Sequence, residues 1–454
     1  MLTAINPATG DLLNEYEEIT PDQVSGRLEK AQQAFEVWRQ TSFSERAALM
    51  KATSRILTEN KNAYARTMAL EMGKPIKSGR AEIEKCAWVC EFYAEHAEEM
   101  LKPEIVQTDA HKSYVTYNPL GVILAVMPWN YPFWQVFRHA APGLMAGNGV
   151  VLKHASNVPG CSMAIADIIK KAGFPENLFQ NFLMAGRRTD RIIEHPVIRA
   201  VTLTGSKAAG RAVAAQAGKL LKKTVLELGG SDPYIILEDA DLAETIETCV
   251  ASRLLNSGQS CIAAKRFVVV ESVHKQFVEL FVEKMRSQKM GDPLDETVDI
   301  GPQARADLRD DLHRQVIQSI EKGANCLLGG EIPQSEGAFY PATVLSEVTK
   351  GMPAFDEETF GPVAAVIPVK HERQAVEVAN DSAFGLGAAI FTRDRHRGEH
   401  IAANELEAGN CFVNAFVKSD PRLPFGGVKE SGFGRELSHY GLREFVNIKT
   451  VYVH

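Results

Sequence analysis

Between residues 21 and 100, apolar positions recur at helical spacing in three successive stretches, 21–40, 44 to about 73, and 77–100. Apolar side chains at i, i+3, i+4 and i+7 place one face of a helix against a core, and Pro21-Asp22 and Ser44-Glu45 are suitable helix starts. The pattern then shortens to a period of two. Residues 104–108 and 113–117 are extended runs separated by the polar Asp109-Ala110-His111-Lys112, which predicts a hairpin set apart from the main alternation of strands and helices.

From Gly121 short apolar runs alternate with helical patterns. Strands are predicted at 122–126, 150–152, 179–183 and 199–203, with helices at 135–146, 161–171 and 207–221. A second alternating section has strands at 267–270, 363–369, 388–391 and 411–414, and helices at 275–287, 305–322 and 374–380. This rhythm predicts an α/β protein with two α/β domains built on parallel-type sheets. Residues 447–453 form a last extended run suited to pairing with an exposed sheet edge.

A chain of 454 residues exceeds what one ordinary core serves, in keeping with two domains. The net charge of -7 and the lack of a basic run argue against nucleic acid or an anionic membrane as partner. No apolar run approaches the roughly 20 residues that cross a bilayer, and the first ten residues carry no targeting pattern. The seven cysteines, 86, 90, 161, 249, 261, 326 and 411, are odd in number and form no CxxC pair, which suits a reducing compartment better than a disulfide framework. A cytoplasmic protein without a metal site is expected. Cys86 and Cys90, one helical turn apart, read as buried packing.

Chemistry concentrates in Asn256-Ser257-Gly258-Gln259-Ser260-Cys261, where a glycine turn precedes a cysteine that thiolate formation would make a strong nucleophile. A second candidate is Thr204-Gly205-Ser206, where a predicted strand runs into a helix. Free N–H groups and the helix dipole make such a turn an anion site. His396-Arg-Gly-Glu-His400 matches a zinc-protease pattern but has a mid-helix glycine and no evident third ligand, so it reads as polar helix surface.

Seven ordered segments carry a resemblance. They are Asn6-Pro-Ala-Thr-Gly10, Pro128-Trp-Asn-Tyr-Pro132, Leu203-Thr-Gly-Ser206, Leu226-Glu-Leu-Gly-Gly230, Gly258-Gln-Ser-Cys261, Glu357-Glu-Thr-Phe-Gly-Pro362 and the run from Pro424 to Glu436. Together they resemble the NAD(P)-dependent aldehyde dehydrogenase superfamily from one end of the chain to the other, and within it the shorter bacterial succinate-semialdehyde dehydrogenases. The resemblance implies a Rossmann-like cofactor-binding domain (1–100 and 118–229), a catalytic domain (230–436), and an oligomerisation arm and tail (101–117 and 437–454) in a homodimer or homotetramer.

It further implies that Cys261 attacks an aldehyde, that Glu227 activates water against the resulting thioester, and that Asn130 stabilises the oxyanion. Trp129, Lys153, Gly205, Ser206, Glu358 and Phe360 match the family's cofactor contacts. Ser156 stands where NAD-preferring members commonly carry a glutamate that would repel a 2'-phosphate, so NADP is the expected cofactor, with NAD the weaker alternative. For the substrate, Arg138 falls where the semialdehyde branch binds the distal carboxylate, and Ser419 lies near that branch's other carboxylate contact. A second arginine of the animal relatives is Leu255 here. The expected reaction oxidises succinate semialdehyde, or a similar acidic semialdehyde, to the dicarboxylate. Two other readings stay open: oxidation of neutral aldehydes with Arg138 paired structurally, and a binding protein that keeps the fold without turnover.

Overall fold

The computed structural model describes residues 1–454. Its first α/β unit is built on a six-stranded sheet in the order Gly432–Phe433, Lys223–Glu227, Ile198–Thr204, Val122–Met127, Gly149–His154, Phe179–Asn181. The last five run parallel, and Gly432–Phe433 adds an antiparallel edge. Val122–Met127 is apolar throughout because helices cover both faces of the sheet, so neither face selects polar side chains. Helix Trp134–Met145 is buried along its whole length. The edge from Gly432–Phe433 ties a late part of the chain back onto the first sheet.

The second unit carries seven strands in the order Asn325–Leu328, Thr343–Ser346, Val363–Val369, Arg266–Val270, Pro233–Ile236, Gly387–Phe391, Asn410–Val413. Only the Asn325–Leu328 pairing is antiparallel. A separate three-stranded sheet joins Glu104–Ile105, Lys112–Pro119 and the tail strand Val446–Val453, which pairs antiparallel along the full length of Lys112–Pro119.

Differences from the sequence pattern are local. The helix expected from 44 to about 73 is two helices, Phe43–Glu59 and Lys61–Met72. Asn60 breaks it, because its side-chain amide and its own N–H both turn back to the Ile56 carbonyl. The N-terminal hairpin Leu2–Ile5 with Leu12–Tyr16 and helix Leu242–Arg253 are further elements outside the predicted set. No helix is long and apolar enough to cross a membrane.

Candidate active site

The cysteine loop follows helix Leu242–Arg253 and departs at once from ordinary backbone geometry. Asn256 and Ser257 take φ of 55° and 58°, and Gly258 takes 76°. Gly258 has no substitute, since a Cβ there would lie 2.2 Å from the Gly361 carbonyl oxygen. Three polar side chains in the loop have partners that hold this shape. Asn256 Nδ2 donates to the carbonyls of Asn130 and Gln259, Ser257 Oγ accepts from the Gly301 N–H, and Gln259 Oε1 accepts from the Ala304 N–H. Lys265, fully buried, donates to the carbonyl oxygens of Ser260 and Cys261 at 2.8 and 2.6 Å. These bonds make a short, strained connection into a rigid mount for the cysteine.

Asn130 is brought to this loop by the turn between strand Val122–Met127 and helix Trp134–Met145. Its Nδ2 donates to the Gln259 carbonyl at 3.1 Å. Buried Glu82 anchors the start of the helix by accepting the N–H groups of Phe133 and Trp134, both at 2.9 Å, while it pairs with buried Lys74. A carboxylate at the positive end of a helix dipole is well placed to hold both N–H groups. The Cys261 N–H donates to no protein acceptor, and the Asn130 amide is held at the same loop through the Gln259 carbonyl.

Cys261 borders a cavity of about 290 Å³, a size suited to a short ligand. Helix Ile76–Met100 contributes Ser78, Ala81, Glu82 and Lys85, spaced as one helical face, and helix Trp134–Met145 contributes Trp134, Gln135 and Arg138. Tyr131, Phe416, Ser419 and Phe425 complete much of the wall. Burial pushes the Cys261 thiol up to about 12, with Lys265 and Arg138 opposing. Burial thus favours the protonated thiol in this arrangement.

Arg138 and Ser419 both line the cavity, but their partners differ. The Arg138 guanidinium forms a buried ion pair with Glu436, reaches Thr204 Oγ1 at 3.3 Å and lies over the Phe425 ring. Ser419 accepts a hydrogen bond from Lys85 at 2.7 Å. Glu227, at the end of strand Lys223–Glu227, is absent from the cavity wall. Its carboxylate lies against Gly426, where an added Cβ would stand 2.7 Å from Oε1, and neither oxygen has a hydrogen-bond partner. Burial raises its pKa well above the ordinary carboxylate value, and the charge of Glu436 raises it further, with Arg138 opposing.

The predicted cofactor residues gather at the carboxyl ends of the first sheet. Lys153, one residue before the end of strand Gly149–His154, carries a buried ammonium that has no anionic partner, and burial lowers its pKa. Its Nζ lies 3.7 Å from where a Cβ of Gly186 would stand. Ser156, with Arg187, lines an adjoining cleft of about 900 Å³. Gly205 and Ser206 form the turn from strand Ile198–Thr204 into helix Lys207–Lys219, which Ser206 Oγ caps by accepting the Ala209 N–H. Gly210 lets that helix approach closely, because a Cβ would meet the Leu228 side chain at 2.6 Å. Trp129 and Phe360 meet edge to face at 5.7 Å, and Glu358 accepts the Gly230 N–H and faces Lys265 at 3.6 Å.

A dinucleotide phosphate fits these residues. The uncompensated Lys153 ammonium calls for an anion, the turn at Gly205 offers a helix start, and the position of Ser156 carries no repelling carboxylate. Three residues with evident roles here stand outside the sequence-derived set: Lys85, Lys265 and Glu82. Glu436 lies within one of the quoted segments, yet its pairing with Arg138 joins positions almost 300 residues apart and has no local signal.

The aldehyde dehydrogenase family profile matches residues 1–451. A succinate semialdehyde dehydrogenase of Escherichia coli, named for NAD(P)+, is 48% identical over 449 residues, covering 99% of this chain and 97% of that protein. The NADP(+) succinate-semialdehyde dehydrogenase of Mycobacterium leprae is 45% identical over 455 residues, covering 100% and 99%. Among solved structures, the succinic semialdehyde dehydrogenase of Streptococcus pyogenes in complex with NADP+ superposes with a TM-score of 0.97 at 36% identity and full coverage of both chains.

Proposed function

The chain belongs to the aldehyde dehydrogenase family, and from that premise we propose that it oxidises succinate semialdehyde to succinate with NADP. The observation that carries the substrate is the cavity itself, which has Cys261 on its wall together with Lys85, Arg138 and Ser419 from three separate elements. A small cavity that joins a nucleophile to cationic and hydroxyl groups suits a short aldehyde bearing a carboxylate.

In this reading Cys261 loses its proton to solvent water, the resulting thiolate adds to the aldehyde carbon, and the developing oxyanion accepts hydrogen bonds from Asn130 Nδ2 and the Cys261 N–H. Bound NADP supplies the acceptor for the aldehyde hydrogen as hydride. The acid is left as a thioester on Cys261, which water then cleaves. Glu227 is the base for that water, and its raised pKa brings it toward the pH where a general base is most effective. Its carboxylate has no hydrogen-bond partner in the protein that this role would have to displace. Lys153, Ser156, Gly205 and Ser206 would hold the phosphates of the cofactor, and Trp129, Glu358 and Phe360 would contact its other end.

The exposed strands of the arm and tail support a homo-oligomer, and the seven free thiols support a cytoplasmic setting. Initial rates with succinate semialdehyde and with butanal, each with NADP and NAD, test the reading. Preference for the acid and for NADP is expected, and equal rates with the two aldehydes would remove the acidic substrate. Cys261→Ala is expected to abolish oxidation while NADP still binds, as read by fluorescence titration. Substantial remaining turnover would exclude the thioester route.

A further inference from the structure

Lys85 is the one cation on the cavity wall whose charge is not already committed to a carboxylate within the protein, apart from the exposed Lys418 at the rim. Arg138 is paired with Glu436. The acids nearest Lys85 are engaged elsewhere. Glu82 holds Lys74 and two helix N–H groups, and Asp420 holds Arg422 at 2.7 Å. The Lys85 ammonium instead donates to Ser419 and stands 4.4 Å over the Trp134 ring, so two contacts from different segments aim it across the cavity.

Resting on the proposed acidic semialdehyde, we infer that Lys85 is the residue that anchors the distal carboxylate and sets the preference for acidic over neutral aldehydes. Ser419 orients Lys85, and Arg138 acts as a positioning residue whose charge balances Glu436 and Glu227. An ammonium has three donors, of which Ser419 uses one, so the substrate carboxylate takes another without displacing a protein partner. Burial and the charge of Arg138 push the Lys85 pKa down to about 8, a cost to the charged form that an arriving carboxylate offsets.

The test compares wild type with Lys85→Met and Lys85→Arg, using succinate semialdehyde and butanal with NADP. In Lys85→Met the ratio of kcat/KM for the acid to that for butanal is expected to fall about 10- to 150-fold, the span of one hydrogen bond between charged groups, mainly through the KM of the acid. Lys85→Arg retains most of the ratio. A turnover-free readout is the alkylation of Cys261 by iodoacetamide, located by peptide mass spectrometry. Succinate protects Cys261 in wild type and fails to do so in Lys85→Met. Should the methionine variant not fold, Lys85→Gln carries the same two measurements. A wild type that prefers the acid and a Lys85→Met that prefers it equally would overturn this inference and leave the proposed function intact. A wild type with no preference would remove the acidic substrate and the inference with it.

Discussion

Ser156 follows strand Gly149–His154 near the buried, unpaired ammonium of Lys153, and the proposed use of NADP assigns it to the 2'-phosphate. Ser156→Glu is therefore expected to shift the NADP-to-NAD ratio of kcat/KM toward NAD; an unchanged ratio would show that the phosphate is read elsewhere. Asn130→Ala removes one of the two oxyanion donors of the proposed mechanism and is expected to lower kcat by about 10²- to 10³-fold. A far smaller loss would mean that the amide serves only to hold the Gln259 carbonyl. Cys261, Glu227 and Asn130 stand out as candidates in the sequence because family motifs mark them as residue types in fixed local contexts. Lys85 was not legible. A lysine on an amphipathic helix ordinarily reads as solvated surface, and only the packing of helix Ile76–Met100 against Trp134 and Ser419 turns it inward.

At the scale of elements, ion pairing changes how a substitution of Arg138 would be read. Its partner Glu436 is buried, and Glu227 lies close enough to feel the same charges. Removing one member of such a pair leaves an uncompensated charge at a cost of about 3–5 kcal/mol. Arg138→Ala is thus expected to lower unfolding stability by that order in urea titration, whatever it does to the substrate. An Arg138→Ala chain as stable as wild type would show that the pair contributes nothing to the fold. The tail strand Val446–Val453 is likewise a single element with a separable role. It covers one edge of Lys112–Pro119 while Ile448, Tyr452 and Val453 stay exposed. A chain ending at Glu444 is expected to lose its oligomeric state by sedimentation velocity, and a truncated chain that remained oligomeric would refute that role.

Across the whole molecule, stability carries a pH dependence that starts at Asp232. This carboxyl is buried between strands of the second sheet, accepts the Gly387 N–H at 3.1 Å, and has its pKa raised to about 7 by burial, with Lys265 opposing. Below the unfolded value near 3.8 both states hold the proton and the site adds no pH slope. As pH rises from there to about 7, the unfolded chain releases the proton first, so the fold loses stability across that window. Asp232→Asn cannot ionise. Its stability relative to wild type is expected to rise between pH 4 and pH 7, and a constant difference in thermal unfolding over that range would contradict the assignment.

The sequence by itself determined the alternating strands and helices, the two sheets, the arm with its pairing tail, and the motifs that hold the proposed nucleophile and cofactor turn. Periodicity and turn residues are local, and neighbouring positions on one strand or helix face must share an environment. It also showed the absence of an acid at the Ser156 position, because that absence is a residue identity. Only the tertiary structure decided which charges neutralise one another. Arg138 meets Glu436 across almost 300 residues, Lys85 meets Ser419 across more than 300, and Gly432–Phe433 returns to edge the first sheet. Such pairings depend on how layers stack in three dimensions, and a charge has the same identity in the sequence whether packing leaves it in water, pairs it, or points it unpaired into a cavity.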